Sequence, residues 1–118
     1  SVKRTRATFL LEETIEALRT KRDSSWATSI GTLSGGTDYF LEFTGGAWTI
    51  TTTNIFIDDT FERKFAIETV YRDANDDIAA SGSADADTKK IIASVSWYAP
   101  TGTTTQSVAT YITNMFKN

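Results

Sequence analysis

At 118 residues, 40% of them hydrophobic and 12% aromatic, the chain has the size and apolar content of one domain with one modest core. A formal net charge of -3 excludes the concentrated positive footprint that nucleic-acid binding needs, and the one basic cluster, Lys3, Arg4 and Arg6, stands at the N-terminus. With no cysteine there is no disulfide framework and no thiol chemistry; with no histidine the commonest metal ligand and the commonest acid or base near neutrality are gone.

The first element is a helix over Lys3–Arg22. Ala7, Leu11, Ile15 and Leu18 recur at helical spacing, and Leu10 and Thr14 widen the stripe. Glu12, Glu13 and Glu16 point elsewhere, Glu16 is placed to pair with Arg19, and Lys21 and Arg22 suit the C-terminal dipole. Asp23, Ser24 and Ser25 end the helix, and Trp26 reads as a core residue that locks its end. Lys3–Arg6 offers only Thr5 as a natural side-chain cap, so either Ser1 serves or the helix continues upstream. Phe9 and Leu10 are expected to be left uncovered near its start.

The period then changes from helical to alternating. After Gly31, Gly35 and Gly36, a first strand carries Tyr39, Leu41 and Phe43, and Gly45–Gly46 turns it into a second around Trp48–Thr52. A long third strand runs from Phe61 to Tyr71, with Glu62, Lys64 and Glu68 on its wet side. The acidic, small-residue stretch Asp73–Thr88 reads as a loop. Ile91, Val95 and Trp97 mark a fourth strand, Pro100 and Gly102 a turn, and Gln106–Asn114 a fifth, with Val108 and Ile112 on one face and Tyr111 on the other. The expected fold is α+β: one N-terminal helix covering a four- to five-stranded antiparallel sheet over about 38–114, in a single domain spanning 1–118.

Candidate chemistry is sparse. Asp73, Asn75 and Asp77 place oxygen side chains at alternate positions, as the first half of an EF-type calcium loop does, which makes them the candidate metal ligands. The pattern then departs, with Ile78 where glycine belongs and Ala84 where glutamate belongs, so a solvated turn held by local Asx hydrogen bonds is the plainer reading. Glu12 and Glu16, one helical turn apart, have no accompanying nucleophile, and the serines lack the strained elbow of a hydrolase. No enzymatic activity and no cofactor are expected. The threonine clusters Thr51–Thr53 and Thr103–Thr105 suit exposed strands.

In order, FLLEETIEALRTKRDSSW, YFLEFTGGAWTI, FERKFAIETVYRDANDDI and DADTKKIIASVSWYAPTGTTTQSVATYITNMF cover nearly the whole chain. This succession resembles the soluble part of a type IV pilin-like protein, of the minor pilin or pseudopilin kind with a prepilin-type N-terminus. The first stretch is similar to the exit of the long pilin helix, and the last to the closing hairpin with its tail, here Tyr111 to Phe116. The resemblance implies a structural subunit of a type IV pilus or related secretion filament, without catalysis. It implies an inner-membrane precursor, cleaved and methylated by a prepilin peptidase, with an apolar helix ahead of Ser1 that reaches the membrane and then the filament core. The globular domain would face outward at the cell surface. Its partners would be other pilin subunits, and the soluble part alone would be monomeric. Some members close the C-terminal region with a disulfide; without cysteine, the last strand here must hold by packing and pairing. The competing expectation is an extracellular adhesion or carbohydrate-binding module, for which exposed rings at Trp48, Tyr98 or Tyr111 would be the mark.

Overall fold

The computed structural model describes residues 1–115. Helix α1 spans Val2–Ser24 and is capped: the Ser1 hydroxyl accepts the Arg4 N–H at 3.1 Å. Thr5 is not the cap; its hydroxyl bonds back to the Ser1 carbonyl. Of the two residues expected as possible caps, Ser1 is the one that serves. The buried face is Ala7, Leu10, Leu11, Thr14, Ala17 and Leu18, while Ile15 lies only partly covered at the margin. Leu10, expected to be uncovered, is 1% exposed, whereas Phe9, 60% exposed, is free as expected. The sheet contact thus reaches back a full turn before Leu11. Thr14 is buried without penalty because its hydroxyl donates to the Leu10 carbonyl.

Trp26 packs partly buried against the core after the helix, and a single 3-10 turn, Ile30–Thr32, follows. Strands β1 (Phe40–Thr44) and β2 (Ala47–Thr51) form a hairpin on Gly45–Gly46, both at positive φ as a tight turn requires. This hairpin is a separate two-stranded sheet and not the start of one meander. It is tied to the main sheet by a single bridge, in which Tyr39 and Phe65 exchange backbone hydrogen bonds of 2.8 and 2.9 Å and stack their rings at 5.6 Å.

The main sheet has five strands: β3 (Phe56–Ile57), β4 (Phe61–Arg72), β5 (Ile78–Ala79), β6 (Ser83–Ala99) and β7 (Gly102–Thr113). All pair antiparallel in the order β3-β4-β6-β7, with β5 also on β4. The fold class expected from sequence is the one observed, α+β with the N-terminal helix on an antiparallel sheet. Half of Asp73–Thr88, expected as a loop, is strand: β5 lies within it, and β6 begins at Ser83 and pairs through Asp85 before a bulge at residues 86–88, which have no partner on β4. Beyond Thr113 the expected tail ends at Phe116, which lies outside the described residues.

Helix α1 crosses β6, with β4 and β7 on either side. Its apolar face meets Phe65, Ile67, Ile91, Ala93, Val95, Trp97 and Ile112, all nearly inaccessible, and Ile30, Tyr39 and Leu41 close the side of the core. Arg63 also points inward and is only 5% exposed. Its guanidinium pairs with Glu13 of α1 and lies 5.4 Å from the Trp48 ring centroid. One side chain thereby joins the helix, the main sheet and the β1–β2 hairpin, supplying charge pairing and ring contact where three elements meet.

Candidate functional site

The calcium candidates lie in the turn between β4 and β5. The Asp73 carboxylate accepts the backbone N–H groups of Asn75 (2.8 Å) and Asp77 (3.1 Å), an Asx arrangement. Backbone bonds from Asp76 to Asp73 and from Asp73 to Asp77 close the turn, and Asn75 and Asp77 turn to solvent. Asp85 and Asp87, downstream in sequence, do approach this end of the sheet, but a cation of the protein's own is already there. Arg72 donates from Nε to Asp85 at 2.8 Å and from Nη1 to the Asp76 carbonyl at 3.0 Å. Among the described residues, no group of three or more acidic side chains is gathered in a way that could hold a metal ion. The geometry of Asp73, Asn75 and Asp77 is that of a locally bonded turn clamped by Arg72.

The clamp has an electrostatic consequence. The Arg72 hydrogen bond, followed by the Asp87 N–H at 2.9 Å, lowers the Asp85 pKa against the opposing effect of burial. A carboxylate with a lowered folded-state pKa contributes stability above the ordinary aspartate value of about 4, and loses it as pH falls through the lowered value. Thermal melts of the wild type and Asp85→Asn should therefore differ by a constant amount from pH 7 to about 5, then converge in more acidic buffer. A gap that stays constant down to about pH 2 would contradict the assignment.

The rings that would mark a sugar platform are dispersed. Tyr98 is 78% exposed and Tyr111 is 47% exposed. In the β6–β7 ladder Tyr98 pairs with Thr103 and Tyr111 with Lys90, so they stand eight positions apart, roughly 27 Å at strand rise. Trp48 is partly covered, with Arg63 over its ring and the Phe43 edge at 5.0 Å. Tyr98 and Tyr111 stand too far apart to face one sugar.

Glu12 and Glu16, the paired carboxylates of α1, differ in partner: Glu16 is ion-paired and, among the described residues, Glu12 is not. Glu16 bonds Arg19 at 2.5 Å on the exposed surface. Glu12 lines a groove of about 650 Å³ between α1 and β7, floored by Leu11, Ile15 and Val108, with the Glu16–Arg19 pair on the same wall. Gln106 closes one end by donating to the Thr8 hydroxyl at 2.8 Å. Sequence reasoning missed both this groove and the inward Arg63. A basic residue on the apolar side of an alternating strand was the available signal for the second; the groove depends on how the helix rolls and had none.

Among the described residues no helix is long and apolar enough to cross a membrane. The helix packed on an antiparallel sheet is compatible with a pilin-like fold. No family model, no curated protein and no solved structure matches the chain.

Proposed function

We propose that the chain is the globular part of a filament subunit, a minor pilin or pseudopilin of a type IV pilus or related secretion filament, with a structural role and no catalysis. The observation that carries this reading is the succession of elements. A lone N-terminal helix of 23 residues lies on an antiparallel sheet, and a small hairpin fills the connection between them. The first half of the helix keeps Val2 and Phe9 exposed, at 87% and 60%, on the side away from the sheet. In a filament subunit these residues prolong an apolar surface from a preceding helix towards neighbouring subunits. The subunit would start in the inner membrane and end in an extracellular filament. The N-terminal sequence of the protein as its own cells make it tests the reading, since the function requires an apolar helix ahead of Ser1.

A further inference from the structure

The two long edges of the main sheet are treated differently. Along β4, the outer edge is covered in pieces: β3 pairs at Phe61–Glu62, Tyr39 bridges Phe65, and β5 pairs at Tyr71–Arg72. Among the described residues strand β7 pairs with β6 alone, and its twelve residues include no proline and no charged side chain. Natural sheets usually guard such an edge with lysine, proline, a bulge or a covering segment, because its unpaired backbone groups recruit another strand.

The register identifies the free groups. The Pro100–Thr101 turn closes on the pair Ala99–Gly102, and at the far end Asn114 donates its N–H to the Asp87 carbonyl. Both place the even-numbered residues of β7 in the ladder with β6, so Thr103, Thr105, Ser107, Ala109 and Tyr111 direct their N–H and C=O groups outward. The groove described above runs along this edge, so an added strand would set alternate side chains against Val108, Ile15 and Leu11.

We propose that the open edge of β7 and its groove form a strand-addition site for an extended segment of a partner protein, with apolar residues at alternate positions and a lysine or arginine among them. Two acceptors select the basic residue. Arg19, on the same groove, is taken up by Glu16, whereas Glu12 has no ion pair among the described residues, and the Gln106 side-chain oxygen is buried without a donor. A second copy fits less well. Thr8 lies at Gln106, and Leu18 shares a small cavity with Ile112, so α1 and β7 run in the same direction with Glu12 near the middle of the edge. Two-fold pairing of β7 with itself would bring the two Glu12 carboxylates together at the dyad. This site is independent of the filament reading, because the folded domain alone presents it.

The probe is an acetylated decapeptide alternating threonine with valine, one central valine replaced by lysine, with a glutamate version as control. Titration into ¹⁵N-labelled protein should shift the amides of residues 103–111, with the lysine peptide binding about tenfold tighter than the glutamate peptide. Ala109→Pro removes an outward N–H at a position where an edge strand tolerates proline, and should abolish binding while circular dichroism stays unchanged. Glu12→Lys, a surface change, should reverse the peptide preference. No amide shifts at millimolar peptide, shifts elsewhere, binding that survives Ala109→Pro, or an unchanged preference in Glu12→Lys would each overturn the proposal. So would a dimer in sedimentation velocity that Ala109→Pro dissociates, which would give the edge to a second copy.

Discussion

Leu18→Asp is expected to leave the domain unfolded at 25 °C, whereas Phe9→Ala, on the same helix, should melt within a few degrees of the wild type. Leu18 is 1% exposed and belongs to the apolar face that α1 lays on the sheet. An aspartate there loses the packing of a leucine and places a carboxylate in the core with no designed partner. Together these cost roughly 4–12 kcal/mol, as much as the whole stability of about 5–15 kcal/mol for a domain of this kind. Leu11→Asp should be severe but milder, because Leu11 also lines the open groove and a carboxylate at that position can turn towards water. Phe9 is mostly in solvent and should change stability by about 0.5 kcal/mol or less. Circular dichroism melts of the three variants check the ranking; equal melting temperatures would contradict the docking of α1.

The second large effect is expected from a single methyl group. Gly82, between β5 and β6, has φ of +132°, and a Cβ there would lie 2.2 Å from the Arg72 carbonyl oxygen. The obstacle is backbone and cannot swing away, and the conformation itself is one that side-chain-bearing residues rarely adopt. Gly82→Ala should therefore cost about 2–4 kcal/mol through the forced shift of the Arg72 backbone and the strained φ. Since Arg72 is also the clamp on Asp85, the variant should lose part of the acid dependence expected for the wild type. A melting temperature equal to the wild type's would contradict the tight passage of β6 past the end of β4.

The elements that were legible in the sequence are those whose period is long and whose apolar residues are large. Helix α1 declares itself through Ala7, Leu11 and Leu18, and β4 through Phe61, Phe65 and Ile67, all buried as the alternation requires. The roll of the helix was less legible. A stripe centred on Ile15 and one centred on Leu10 and Thr14 differ by a fraction of a turn, and the sheet decides between them by which residues it can cover. The first half of β6 escaped notice because Ser83–Asp87 alternates polar residues only with alanine and carries no large or β-branched apolar side chain; the pairing of Ser83, Ala84 and Asp85 is fixed by β4 and by the Arg72–Asp85 bond. Strands of two residues, β3 and β5, are too short to show any period.

The candidate site was half legible. The acidic turn was visible as a cluster of oxygen donors, but Arg72, which meets Asp85 and the Asp76 carbonyl, stands just outside that cluster in sequence. A pattern of ligands cannot show that a neighbouring arginine is positioned among them. The bareness of β7 is written in its composition, twelve residues rich in threonine and without charge or proline, yet the same composition suits any exposed strand. Only the strand order, which leaves β7 last in the sheet, makes it an edge.

The filament assignment depends most directly on what precedes Ser1 in the native polypeptide. Mass spectrometry of tryptic and N-terminal peptides, taken from the protein isolated from its own cells, reads that segment. The assignment predicts about twenty apolar residues in helical continuity with Val2, beginning at a methylated N-terminus with an acidic side chain about five positions in. A polar segment ahead of Ser1, or a mature N-terminus without an apolar helix, would contradict it.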